Sequence, residues 1–324
     1  MADSTLDAIR TKVRRLTRSP SEAQITTDQI DEYVNTFVLY DFPEQLRLSS
    51  LKTTFTFYTE PYIDSYDSSN TATELDNFIN TYLTFHEPVY VDGKQVRFYQ
   101  DRERFFGDYP KVSSRVTIAT GDGATLNYTG TLSAVPILRN EVLFSSRDSN
   151  NDSLELHDQP VDNSVGLLNG SGGTGAIDYV TGEYAIDFTN APAASVDIVA
   201  HTVPYVAAVP DAILFYDNTF TVRPIPQQAY KIEMDAYKRP TELLANNQSP
   251  ELEEWWQYIS YGAAKKILED RLDMETIQII MPEFKTQERL ILRRSIVQQA
   301  DKRVATIYTD HLDGQIRNNW NRRG

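Results

Sequence analysis

Residues 230–240 read YKIEMDAYKRP, and residues 249–303 read SPELEEWWQYISYGAAKKILEDRLDMETIQIIMPEFKTQERLILRRSIVQQADKR. In the first stretch Ile232, Met234 and Ala236 alternate with Lys231, Glu233 and Asp235, the period of a half-buried strand. Lys238-Arg239-Pro240 ends it. Ser249-Pro250-Glu251 then predicts a helix start, with serine as cap and proline at the first helical position. Leu252, Trp255, Trp256, Ile259, Ala263 and Ile267 form a wide apolar face. Asp273 is placed to cap a second helix, which Pro282 should start, kink or restart. Phe284, Leu290, Ile291, Ile296, Val297 and Ala300 continue its apolar stripe.

The amino-terminal segment is also helical in pattern. Leu6, Ile9, Val13 and Leu16 share one helix face, and Ser19-Pro20-Ser21 stops it. A second helix should begin near Thr26, with Gln29 placed for a capping box, and end at Asp41-Phe42-Pro43. After it the character changes. Residues 53–59, TTFTFYT, are β-branched and aromatic and predict a strand. Residues 74–84 allow a short helix. Val89–Val91 and Gln95–Tyr99 flank Asp92-Gly93, a hairpin signal, and Arg102–Phe106 resembles one helical turn.

From 112 to 203 the sequence reads all-β. Alternating runs fall at 114–120, 125–130, 141–145, 175–180, 184–189 and 195–203, separated by Gly121-Asp122-Gly123, 169–175 and Thr181-Gly182. That spacing predicts a sandwich or small barrel. Its ends lie between segments of the same mixed kind, so it reads as an insertion into a host. Strands near Ala212–Tyr216 and Thr219–Arg223 resume the host.

The 324 residues suggest about two domains, and the chain has no cysteine. Disulfides, thiolate metal sites and thiol nucleophiles are therefore excluded. No apolar run approaches the length of a membrane helix. The net charge of −15 is uneven: residues 1–18 carry +3, residues 285–324 carry +5, and the middle carries −23. Such a body argues against broad nucleic-acid binding. Its acidity serves either solubility or a wall along which a polyanion slides.

Chemical motifs are scarce. The histidines, His86, His157, His201 and His311, lie far apart, and no HExxH, GxSxG or phosphate loop occurs. No catalytic residue, metal or cofactor is expected. Residues 170–175, GSGGTG, precede a strand rather than a helix, so a turn is favoured over a phosphate cradle. Asp148-x-Asn150-x-Asp152 has calcium-loop spacing, but Ser153 stands where glycine is needed and Gln159 where the bidentate glutamate would be. Adjacent Trp255 and Trp256 either divide between the core and a neighbour or both enter a broad core. Residues 303–324 are basic and carry spaced apolar residues, which favours a docking arm over a plain terminus.

The C-terminal third quoted above resembles the head-to-tail adaptor proteins of short-tailed bacteriophages. The likeness rests on a strand ending at a basic-proline pair, a helix opening at Pro250 and carrying Trp255, and the small patch Gly262-Ala263-Ala264. A second helix after Asp273 and the N-terminal helices complete it, over about 1–60 and 205–310. YTGTLSAVPILRNEVLFSS (128–146) and GTGAIDYVTGEYAIDFTNAPAASVDIVAHTV (173–203) resemble a β-module inserted in many phage virion proteins.

The resemblance implies an α+β fold. A discontinuous helical adaptor core over 1–111 and 204–302 would have long C-terminal helices and a small β-sheet. An inserted sandwich-like domain would span 112–203, and a docking arm 303–324. It implies a structural protein of the virion neck, assembled in the host cytoplasm. The expected partners are the portal protein, tail or nozzle proteins, tail fibres, and neighbouring copies in a ring, commonly a dodecamer. DNA would pass through the lumen without specific binding, and no membrane is involved. Ile307, Tyr308, Leu312, Ile316, Arg317, Trp320, Arg322 and Arg323 would form the portal-docking arm. Trp255, Trp256, Gly262 and Ala263 would lie at a subunit interface or in the core. The alternatives are a tail-proximal or baseplate ring protein, or a glycan-binding module using exposed tyrosines.

Overall fold

Helix α1 (Leu6–Leu16) forms where the apolar spacing places it, and Leu6, Ile9 and Val13 are fully buried. The Thr5 hydroxyl accepts from the Ala8 N–H at its start. These contacts come from a computed structural model, which describes residues 4–45, 51–69, 75–250 and 253–298. The chain divides into two compact units, Met1–Lys52 with Tyr237–Gly324, and Thr53–Ala236.

In the first unit, α2 (Thr27–Thr36) opens on a reciprocal cap. Gln29 N–H donates to Thr26 Oγ1 at 3.2 Å, and Thr26 N–H donates to Gln29 Oε1 at 3.0 Å. The expected stop at Asp41-Phe42-Pro43 does not occur. The backbone widens into a π turn over Phe37–Asp41 and continues as α3 (Phe42–Gln45). Pro43 follows directly, and the wider π turn, in which Phe42 N–H donates to Phe37 O, carries the chain into α3 although proline has no N–H to continue that pattern. Helix α6 (Trp256–Asp270) starts later than Ser249-Pro250 predicts, after a 3-10 turn over Glu253–Trp255. The carboxylate of Asp273 accepts from Thr276 N–H and Oγ1 and caps α7 (Met274–Gln298). Pro282 neither starts nor restarts α7. It sits on an exposed position inside it, so water can meet the carbonyl that proline leaves without a donor. The four long helices share one core that includes Val34, Phe37, Tyr258, Ile267 and Phe284. Buried Asn35 clamps the segment around Leu243: its amide donates to Leu243 O, and its oxygen accepts from Leu243 N–H, both at 2.9 Å.

The second unit contains two large sheets. The first has seven strands: β1 (Lys52–Tyr58), β2 (Ser65–Tyr66), β3 (Tyr82–Val91), β4 (Lys94–Tyr99), β13 (Ala212–Tyr216), β14 (Thr219–Arg223) and β15 (Lys231–Lys238). Their order is β1-β15-β3-β4-β13-β14-β2. Asp92-Gly93 makes the β3–β4 hairpin, both residues at positive φ, as a tight primed turn requires. Between β2 and β3 lies the short α4 (Phe78–Thr81), and after β4 comes α5 (Arg102–Asp108). An aromatic cluster of Phe55, Phe78, Phe85, Phe215 and Phe220 fills the core, with Phe215 and Phe220 centroids 4.7 Å apart.

The second sheet lies wholly between Ser114 and Thr202. It comprises β5 (Ser114–Thr120), β6 (Asn127–Thr131), β7 (Leu143–Arg147), β8 (Ser153–Pro160), β9 (Val165–Gly170), β10 (Gly173–Asp178), β11 (Glu183–Phe188) and β12 (Asp197–Thr202). The order is β5-β12-β7-β8-β9-β10-β11-β6. Core residues from β7 to β12 form one cluster, with β5 and β6 packed against it through Ile118 and Tyr128. The sheet therefore curls around a single core instead of splitting into two facing layers. Its entry and exit strands are neighbours, with Ser114 opposite Thr202.

This architecture overturns the expected fold class. The protein is not a helical core with a small sheet and a sandwich-like insert. Among the described residues fifteen strands in sheets of seven and eight dominate it, and the second sheet is a single curled one. The expectation failed at β3, β8 and β9. The run 74–84 reads as a helix but gives way to a ten-residue strand at Tyr82. In β8 the inward positions are Leu154, Leu156 and Asp158, and the buried carboxylate hides the alternation. Gly166 and Gly170 thin the apolar signal of β9 in the same way.

Candidate docking surfaces

The eight arm residues, Ile307 through Arg323, lie outside the described residues. The other expected interface residues fall in or against the helical core. Trp255 and Trp256 are both partly buried against it. Ala263 is fully buried. Gly262 is required there, because a Cβ would fall at or within 2.5 Å of three atoms of the Phe37 ring. The small-residue patch thus lets α6 seat on the aromatic side chains of the π turn.

Much of the N-terminal basic charge is satisfied internally. Arg10 forms a two-pronged ion pair with Asp31 and also donates to Asn246. The hydrogen bond with Asp31 raises the pKa of Arg10 further. Arg14 bonds Glu22, Thr27 and the Ile25 carbonyl, and Lys12 lies over the Tyr261 ring.

The motifs of the eight-stranded sheet are structural. Residues 170–175 make a tight hairpin in which Gly170 pairs with Gly173. A Cβ on Gly170 or Gly172 would run into the backbone at Glu155. Asp148 is buried, its Oδ1 accepting from Asn150 and Asp152 N–H and its Oδ2 from Asn190. Its oxygens therefore fasten the loop. Asp122, Asp162 and Asp178 do the same at three further turns. The hydrogen bonds from Thr125, with one from Ala124, lower the Asp122 pKa to about 2. Buried Asp158 accepts from Asn140 N–H at 2.7 Å, Val142 N–H at 3.0 Å and Tyr179 Oη at 2.8 Å. Burial, with that carboxylate second, pushes the Tyr179 hydroxyl well above its ordinary pKa.

His157 and His201 flank Leu143 on adjacent strands and line an open cavity of about 370 Å³. Among the described residues no group of three or more His, Asp or Glu side chains could hold a metal. No described helix is long and apolar enough to cross a membrane. Residues 112–203 contain three tyrosines: Tyr179 and Tyr184 are buried, and Tyr128 packs against the core. That sheet accordingly presents no exposed tyrosine on which a sugar ring could stack.

Two surfaces stand out that the sequence did not single out. The first is on α7. At about 100° per residue, Ile277, Ile280, Phe284 and Ile291 share its buried face. Ile279 and Leu290 lie on one flank, 61% and 49% exposed, and Met274 and Leu292 on the other, 61% and 42% exposed. A plain helix wheel carries this signal, because the apolar positions are too many for one face. The second surface surrounds α5. Arg97 lies over Tyr109, Arg102 over Phe106 and Tyr216, and Arg104 over Tyr99, at 5.7–5.9 Å from the ring centroids. Its sequence sign is the interleaving of arginine and aromatics in RFYQDRERFFGDY, 97–109.

No protein-family model matches the chain, and no curated protein matches it in sequence.

Proposed function

We propose that the chain is a structural protein of a tailed-phage particle, a ring-forming adaptor between the portal and the tail. The observation that carries this is the pair of apolar flanks on α7. A helix whose only neighbours are in its own chain needs one apolar face. A helix that also touches a copy on each side has reason for three. The order of parts in the resemblance also supports it. Strand β15 stops at Lys238 before Arg239-Pro240, α6 follows with its tryptophans and small patch, and α7 follows Asp273. The acidic body suits a passage that double-stranded DNA must slide through. The inward tyrosines weigh against the glycan-binding alternative.

Particle mass tests this, measured on the purified chain alone and with its cognate portal protein. A closed multimer, or a stoichiometric complex with the portal, is expected. A chain that remains monomeric under both conditions overturns the proposal. Deleting residues 303–324 should leave a folded protein that no longer sediments with the portal. Unchanged co-sedimentation would remove the arm from the proposal.

A further inference from the structure

We propose that neighbouring copies also meet through the second unit, the arginine face around α5 of one copy seating on the outer face of β9, β10, β11 and β6 of the next. This rests on the ring reading above and names a contact within it.

The outer face of those four strands follows from their register. Leu167, Ala176, Ala185 and Thr129 are cross-strand neighbours in one row. Asn169, Thr174, Asp187 and Asn127 make the next row. The centre is shallow because alanines occupy it, and Leu167 stands 52% exposed beside Val165 at 36%. The four strands contain no lysine or arginine. Glu183 and Asp187 point outward, and among the described residues neither has an ion pair or a hydrogen bond from a side chain. The face is therefore apolar at its centre with free carboxylates, and a flat contact must bring cations to it.

The α5 face supplies them. Arg102 and Arg104 are exposed, and among the described residues neither has a carboxylate within ion-pair distance. Stacking on Phe106, Tyr216 and Tyr99 holds each guanidinium in place, which reduces the entropy lost on binding and leaves the N–H edge free. The carboxylates nearby are engaged: Asp108 accepts from the Tyr99 hydroxyl and Asp211 from the Tyr109 hydroxyl. Asp101 caps α5 through the Glu103 N–H. With Glu103 the patch is close to neutral overall, so its attraction is directional and short-ranged. Arginine and tyrosine on a half-buried platform are the composition of interface hot spots.

Charge decides between symmetries. Two copies of the β9–β6 face would bring their carboxylates into one contact with no lysine or arginine from those strands to pair them, which disfavours a face-to-face dimer. Pairing that face with the α5 face makes a head-to-tail contact, which closes into a ring when the rotation per step permits.

Reversal of charge on each side is the test, with R102E/R104E and E183K/D187K made in the full chain. Association is followed by sedimentation velocity under whichever condition, alone or with the portal, gives wild-type multimers. Each variant should associate at least about tenfold more weakly than wild type. An equal mixture should recover assembly, because each variant's reversed face suits the other's. Unchanged melting of both variants shows that the substitutions act on the surface. If both associate like wild type, or if the mixture fails to recover, this contact is wrong and the ring reading stands. If wild type forms no multimer under any condition, the ring reading itself falls.

Discussion

Replacing Gly262 with alanine should destabilise the helical unit, although alanine is the better helix former. In a helix interior the change favours folding by about 1 kcal/mol. Against that, the new Cβ would lie at or within 2.5 Å of Phe37 Cζ, Cε2 and Cε1. Ordinary carbon contacts need about 3.5 Å, so the ring must retreat by about 1 Å. It has little room: Phe37 is 3% exposed and packs on Phe42, Tyr258 and Phe284 with centroids 6.1, 5.4 and 6.4 Å away. Overpacking of this kind costs about 1–3 kcal/mol, and three clashing atoms put it at the upper end. The net loss should be about 1–2 kcal/mol, a fall in Tm of roughly 3–8 °C for a unit of about 140 residues. All three tryptophans, Trp255, Trp256 and Trp320, lie in this part of the chain. Urea unfolding followed by tryptophan emission therefore reports on the right unit. A Phe37→Leu background should remove most of the penalty and let G262A become neutral or stabilising. If G262A is already neutral with Phe37 present, the packing account of the small-residue patch is wrong.

Further expectations concern charge and turns. Asp158→Ala strands one buried and one part-buried backbone donor and the buried Tyr179 hydroxyl and should cost about 2–3 kcal/mol, read from the thermal melt of the β-rich unit by circular dichroism; a loss under about 1 kcal/mol would show that water replaces the carboxylate. Arg10→Met leaves Asp31 without its partner in a site where the two side chains are 10% and 21% exposed and should cost about 2–4 kcal/mol. R10M/D31L should regain most of that loss, and an equal loss in the double variant would count against the ion-pair explanation. The lowered pKa of Asp122 means that its ionised form is favoured in the folded chain. Its contribution is present above the ordinary carboxylate value and is lost as pH falls toward about 2. The Tm gap between wild type and D122N should therefore be constant at neutral pH and close in acid; a gap that widens in acid would reverse the assignment. Gly170→Ala should be more damaging than a typical surface change, because the Cβ meets the Glu155 carbonyl, which is backbone and cannot rotate away.

The sequence disclosed local structure better than architecture. The periodicity of Leu6, Ile9 and Val13, the Thr26–Gln29 box, the Asp92-Gly93 turn and the Asp273 cap are all short-range, and each is present. The balance between helix and sheet was not legible, because it depends on strands whose pattern is broken by a working residue. Asp158 occupies an inward slot for the sake of three donors, and the glycines around 170 are there for close backbone approach. In both places the residue that hid the strand is the one that stabilises it. The two candidate surfaces were visible in part. An excess of apolar positions along 274–292 and the arginine–aromatic interleaving of 97–109 can be read directly. Which strands gather Glu183, Asp187 and Leu167 onto one face depends on register, and only the folded sheet supplies it.

Because Ser114 and Thr202 sit opposite one another on paired strands, everything between them is a cassette whose two ends meet the rest of the chain at one point. Exchanging those residues for a short turn, or for a compact fluorescent protein with adjacent termini, would ask the seven-stranded sheet to accommodate little more than a hairpin-sized gap. The chain would then carry its label at a known address, away from the seven-stranded sheet's own core.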